Sequence, residues 1–192
     1  IYVSKKGHKV KCVHEDGVFE HIGKLAKDFD PELILETGHA WGGMTLLFHD
    51  YCPNAEIHAW NMQCPRKPNI NYFNKSKVHF HYKDILTKPL PWMIKLFSDE
   101  RKKLVYLDNG NKLREFLMYA SHLNVGDMVG VHDWPREIYT EYVDPPAGKM
   151  MKRVKEEEVE QFAELLGDFE PVQHEFFESK KFSSRFWKRI KK

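Results

Sequence analysis

The chain has 192 residues, 42% of them hydrophobic and 30% charged, which suits one soluble domain with a sizeable core. A net charge of +2 makes no case for a polyanion partner; Lys180 to Lys192, with seven Lys or Arg and no acid, reads as a solvated tail, with phosphate contact as the alternative. Cys12, Cys52 and Cys64 lack CxxC spacing and fit a reducing, cytoplasmic setting, no apolar run approaches the ~18 residues that span a membrane, and Ile1 to Lys11 hold no signal-peptide core.

Residues 1–30 read as a lead-in and helix, and 31–192 as the core of a single domain. Leu33-Ile-Leu-Glu-Thr37 is a compact apolar strand entered through Asp30-Pro31, and Trp41 to Tyr51 follows as a helix. Glu56 to Asn61 is a second strand, and Lys77 to Tyr82, alternating with period two, a third. Pro91 to Glu100 is a short helix with proline near its start. Lys103 to Asp108 is the fourth strand, and Leu113, Phe116, Leu117, Ala120 and Leu123 then keep helical spacing on one face. Asp127 to Asp133 is the fifth strand. Met151, Val154, Phe162, Leu165 and Leu166 read as a last helix that stops at Gly167. Glu170 to Glu178 and Ser183 to Ile190 close the chain as two strands joined by a polar turn.

Repeated strand–helix units predict an α/β fold, a mostly parallel sheet with helices on both faces. Ligands in such sheets bind beyond the C-terminal strand ends, near the switch in strand order. That rule points to Glu36 to Gly43, Asn61, Asp84, Asp108 and Asp133.

The first of these segments reads Glu36-Thr37-Gly38-His39-Ala40-Trp41-Gly42-Gly43. Gly38 lets the chain leave the strand at a dihedral closed to other residues, and Gly42 and Gly43 let backbone approach a ligand and the helix pack on the sheet. The spacing is neither GxGxxG nor a P-loop, which disfavours a dinucleotide or nucleotide phosphate. A carboxylate just before the glycine suits a cationic ligand and would repel a phosphate. The same residues also suit a plain strand-to-helix turn.

Asp108 ends one strand, and His132 and Asp133 end the next. Neighbouring strands lie about 4.8 Å apart, so these side chains can converge on one ion or one hydroxyl. Two carboxylates suit Mg²⁺, and a histidine nitrogen shifts the preference toward Mn²⁺, Fe²⁺ or Zn²⁺. Successive strand residues point to opposite faces, so His132 and Asp133 act together only if the strand has already ended. The alternative is that Asp108 orders a loop and Asp133 caps the next segment. Of the other histidines, His79 and His81 read as edge or surface residues of the third strand.

Pro31 to Thr45 resembles the first motif of the cephalosporin hydroxylase-like branch of class I methyltransferases, D-L-I-I-E-T-G-x-x-x-G-G-S. Leu107 to Lys112 resembles its L-D-S/G-D/N-H motif, and Val125 to Trp134 its P-G-G-x-L-V-x-x-D. The likeness to these small O-methyltransferases runs from about Asp30 to about Leu166. It implies a Rossmann-like sandwich, a seven-stranded sheet with an antiparallel C-terminal strand, and S-adenosylmethionine as cofactor. Glu36, Thr37, Gly38, His39, Trp41, Gly42, Gly43, Asn61, Asp84, Ile85 and Asp108 would then line the cofactor, with Asn61 at the ribose and Asp84 at the adenine. The implied reaction is methylation of a hydroxyl on a small molecule or sugar. Asp133, His132 and Lys112 would be catalytic, and Asp108, His132 and Asp133 would hold Mg²⁺ or another divalent metal. Two departures stand out: Asn61 replaces the usual ribose-binding acid, and Asn111 or Lys112 replaces the usual histidine of the fourth-strand motif. They motivate a non-catalytic binding module as one alternative. A nucleic-acid methyltransferase using Arg66-Lys67 and the basic end is another. No membrane partner is expected, and a homodimer is one option for the assembly.

Overall fold

The computed structural model describes residues 2–10, 17–61, 68–86, 90–134, 140–143, 150–172 and 184–191. Its strands are β1 (Tyr2–Val3), β2 (Lys9–Val10), β3 (Leu33–Thr37), β4 (Glu56–Asn61), β5 (Val78–Tyr82), β6 (Lys103–Leu107), β7 (Met128–Val131), β8 (Thr140–Val143), β9 (Met150–Arg153), β10 (Phe169–Pro171) and β11 (Arg185–Arg189). The helices are α1 (Val18–Phe29), α2 (Gly43–Tyr51), α3 (Pro91–Phe97), α4 (Lys112–Tyr119) and α5 (Glu156–Leu166). Seven strands form one sheet in the order β10-β11-β7-β6-β3-β4-β5. β3, β4 and β5 run parallel, and β11 is antiparallel to both of its neighbours. The mostly parallel seven-stranded sheet with an antiparallel C-terminal strand is thus present. The chain divides into two compact units, Ile1–Ile85 with Arg101–Val105, and Leu86–Glu100 with Tyr106–Lys192.

In the first unit α1 buries Val18, Ile22 and Ala26, one residue per turn along a single stripe. Asp30 closes the helix in the left-handed region (φ 51°), its N–H donating to the carbonyls of Ala26 and Lys27, and Pro31 cannot continue the helix. Gly23 is there for packing: a Cβ would lie 2.6 Å from the Tyr51 ring of α2. All five residues of β3 are buried, as expected for a strand covered on both faces. Cys52 is free and buried, and burial pushes its thiol up to about 12, so it is unreactive. Cys12 and Cys64 lie outside the described residues, as do Arg66, Lys67 and the turn at 179–181.

In the second unit Phe116 of α4 meets Phe162, Phe169 and Trp187 at ring centroid distances of 4.9, 5.3 and 6.4 Å. The Arg114 guanidinium donates twice to Glu158 and ties α4 to α5. The basic end is not simply a solvated tail: β11 runs through it, and buried Arg189 donates to the carbonyls of Ala120, Ser121 and Lys191.

Several boundaries differ from the sequence expectation. The helix after β3 starts at Gly43 rather than Trp41, because Gly38, Ala40 and Gly42 all sit at positive φ. Met151 belongs to β9, which pairs with β8, and not to the last helix. That helix begins at Glu156, where three consecutive glutamates meet the positive end of the helix dipole. The fifth strand ends at Val131 instead of Asp133, which frees His132 and Asp133 from the pleat.

Candidate active site

β3 delivers the chain to a turn built on left-handed residues. Gly38, Ala40 and Gly42 have φ of 82, 46 and 81°. The amides of Gly38 and His39 donate to the carbonyl of Trp60 at 2.8 and 3.1 Å, which pins the turn to β4. Ala40 takes a left-handed conformation that costs a non-glycine residue roughly 1–2 kcal/mol, so local bonds hold it there. At Gly42 a Cβ would lie 2.7 Å from Pro68, so the chain packs closely on that residue. Glu36 is 2% exposed, and its Oε2 accepts a 2.6 Å bond from the Thr45 hydroxyl of α2. Buried His39 places Nδ1 3.1 Å from the Ala40 carbonyl and packs edge-on against Phe80 and Tyr82. Burial pulls its pKa down to about 4, so the ring is neutral near pH 7. With Nδ1–H donating to Ala40, Nε2 is an acceptor, and among the described residues it has no hydrogen-bond partner.

Asn61 closes β4 and is half-buried. Asp84 is exposed and Ile85 fully buried, in a non-helical stretch over 83–86. Thr37 is fully buried, Trp41 half-buried and Gly43 opens α2.

The second unit gathers the other predicted residues. Asp108 follows β6, and its Oδ1 lies 2.8 Å from His132 Nδ1. His132 Nδ1 is also 3.3 Å from Asp133 Oδ2, which receives the Lys112 ammonium at 3.0 Å. Lys112 Nζ is 4.0 Å from Asp108 Oδ1. Asp133 has φ 61°, so its backbone is turned sharply just past β7 to bring it into the group. Burial by itself would lower the pKa of both His132 and Lys112. The carboxylates of Asp108 and Asp133 outweigh it, and both cations are held above their ordinary values. The Asn111 side chain caps α4, accepting from the Arg114 amide at 2.9 Å, which explains its place in the motif and leaves Lys112 to face the carboxylates.

Asp108, His132 and Asp133 each offer a ligand atom within 4.8 Å of the others. The predicted trio is therefore brought together, but the Lys112 ammonium already lies on Asp133. As folded, the group fits a resident ammonium; a divalent ion fits only with Lys112 withdrawn.

A further polar cluster escaped sequence reasoning. His79 and His81, expected to be edge or surface residues, do lie on the edge strand β5, yet they are half-buried against His58. The alternation Glu56-x-His58 on one strand and His79-x-His81 on another was the available signal.

No family profile and no curated protein matches the sequence. Among solved structures the fold is shared with methyltransferases. A CmcI structure with Mg and SAM superposes with a TM-score of 0.61 at 14% identity, over 97% of this chain and 76% of that one. TomG from Streptomyces achromogenes, an O-methyltransferase in complex with SAM, gives 0.58 at 14% identity over 93% of this chain and 81% of its own. CalS10 from Micromonospora echinaspora, an amino pentose methyltransferase with SAM bound, gives 0.55 at 13% identity over 94% and 92%.

Proposed function

We propose that the chain is an S-adenosylmethionine-dependent O-methyltransferase acting on a hydroxyl of a small molecule or sugar. The observation that carries it is the turn ending β3: three left-handed residues in a sheet of this order, with His39 Nε2 buried beside them and without a hydrogen-bond partner among the described residues. The solved neighbours described with SAM support the same cofactor. The residues fit its chemistry, because a cationic ligand is compatible with Glu36 and a hydrogen-bond donor with His39.

When bound, S-adenosylmethionine supplies an electrophilic methyl group on a sulfonium. The first unit would hold it through Glu36 to Gly43, Asn61, Asp84 and Ile85. The second unit carries an acid–base group of its own. Asp108 accepts the Nδ1–H of His132 and so fixes the tautomer that leaves Nε2 as the base. His132 Nε2 takes the acceptor's hydroxyl proton. The Lys112 ammonium, kept charged by the two carboxylates, stabilises the negative charge developing on that oxygen. Because His132 is held above its ordinary value, its base form is populated as pH rises through that value.

A second mode is favoured by the three donor atoms within 4.8 Å: a divalent ion that displaces Lys112 and is held by Asp108, His132 and Asp133. The CmcI structure with Mg and SAM points the same way. The nucleic-acid alternative loses ground, since part of the basic end is built into β11.

Transfer of labelled methyl from S-adenosylmethionine to phenol, catechol and sugar acceptors tests the proposal. Wild type should label a hydroxyl acceptor. His132→Gln should still bind S-adenosylhomocysteine and transfer roughly 10²- to 10⁴-fold more slowly. Equal rates in the two proteins would remove His132 from the reaction, and binding without any transfer would favour the non-catalytic module.

A further inference from the structure

The cluster at the outer edge of the sheet belongs to none of the roles above. β4 and β5 pair in parallel with His58 opposite His79 and Trp60 opposite His81. Side chains alternate along a strand, so Glu56, His58, His79 and His81 share one face, while Asn61 is on the other. Glu56 Oε1 lies 2.9 Å from His58 Nε2 and 3.3 Å from His79 Nε2. The His58 and His79 rings are 4.7 Å apart.

We propose that Glu56, His58 and His79 form a binding site for a zinc-like divalent cation that clips the edge strand β5 to β4. Ligands placed about 2.0–2.1 Å from a tetrahedral Zn²⁺ are roughly 3.3 Å from one another. Two of the three separations here already match that within a few tenths of an ångström. The donor set of two imidazoles and one carboxylate oxygen selects Zn²⁺, Co²⁺ or Ni²⁺ over Mg²⁺ and Ca²⁺. The outer contacts suit ligation as well. Arg101 donates to Glu56 Oε2 at 2.7 Å, which orients the carboxylate with Oε1 toward the histidines. His58 Nδ1 is 2.9 Å from His81 Nε2; if His58 donates there, its Nε2 presents a lone pair to the ion, with His81 as the outer-shell acceptor. His79 and Glu56 are each about one-third exposed, 36% and 32%, so an ion can enter and water can complete the shell.

The position argues for a structural ion rather than a catalytic one. Glu56 opens β4 and Asn61 closes it, five residues on, or about 16 Å along the strand. The ion would therefore sit toward the strand starts, away from the ends that carry the ligand turn. An edge strand is the element that gains most from a cross-strand clip. The site stands independently of the methyltransferase proposal.

The test is titration of metal-stripped protein with Zn²⁺ by calorimetry and with Co²⁺ by visible absorption. The expected result is one ion with nitrogen ligands in wild type, retained in Asp108→Asn/Asp133→Asn. His79→Gln should bind at least tenfold more weakly with an unchanged far-UV spectrum. His79→Cys, which keeps a ligand, should still bind and add a thiolate-to-cobalt charge-transfer band. If His79→Gln does not fold, the Cys variant alone decides. No binding by wild type, full binding by His79→Gln, no thiolate band in His79→Cys, or loss of binding only in the Asp108/Asp133 variant would each overturn the proposal.

Discussion

The two units each bury histidine, with opposite consequences. In the first unit His39 and His81 are surrounded by rings and apolar groups, and burial pulls both down to about 4. In the second, His132 is also buried, yet Asp108 and Asp133 hold it above its ordinary value. Burial alone makes a histidine neutral and inert. Burial beside two carboxylates makes it a proton carrier near neutral pH. The proton chemistry proposed for this chain is therefore expected at His132.

The largest effect should come from removing a carboxylate from the second group. Asp108→Asn takes away the charge that raises His132 and replaces an acceptor-only carboxylate with an amide that no longer fixes its tautomer. Methyl transfer should fall by roughly 10²- to 10⁴-fold, and the pH–rate profile, which in wild type rises through a pKa above 6.5, should shift to lower pH. A pH–rate series on both proteins checks this; an unmoved profile means another group is the base.

Next in size is the pH dependence of stability, where the two units act in opposite directions. His39 has a folded pKa below its unfolded value, so its contribution is present above about 6.5 and is lost as pH falls toward 4. Linkage puts that loss at roughly 3 kcal/mol. His132 has a folded pKa above its unfolded value, so its contribution is complete below about 6.5 and fades as pH rises through the raised value. Urea unfolding between pH 4 and 8 should show His39→Leu resisting acid better than wild type. Equal acid sensitivity would place the loss elsewhere.

A sharper comparison concerns Lys112. If its ammonium fills the place of a cation, Mg²⁺ should not raise the Tm of wild type but should raise that of Lys112→Met, in which two carboxylates are left facing each other. Stabilisation of wild type by Mg²⁺ would support the divalent-ion mode instead. The smallest effect expected is from Asn61→Asp, which should hold or improve affinity for S-adenosylhomocysteine by a few-fold, because a carboxylate accepts hydroxyl bonds more strongly.

Much of this was legible in the sequence because the signals were local. Leu33 to Thr37 and Glu56 to Asn61 match their strands residue for residue, since apolar runs bounded by turn residues leave little choice. Asp108, His132 and Asp133 could be grouped because strand ends in a parallel sheet are predictable places. What remained hidden depended on contacts distant in sequence or on backbone geometry. That Gly42 makes room for Pro68 could not be read from a glycine spacing. Arg189 looked like a tail charge because two of its carbonyl partners lie 68 and 69 residues away. The alignment of His58 with His79 is set by strand register, which two separate period-two patterns do not specify.

The central claim is that the turn ending β3 holds S-adenosylmethionine, and calorimetric titration with S-adenosylhomocysteine tests it most directly. One molecule should bind per chain. Gly38→Val should abolish binding while the protein stays folded, because a branched side chain is strained at φ 82° and blocks the turn. No heat of binding at millimolar S-adenosylhomocysteine with folded wild-type protein, or undiminished binding by Gly38→Val, would contradict the account.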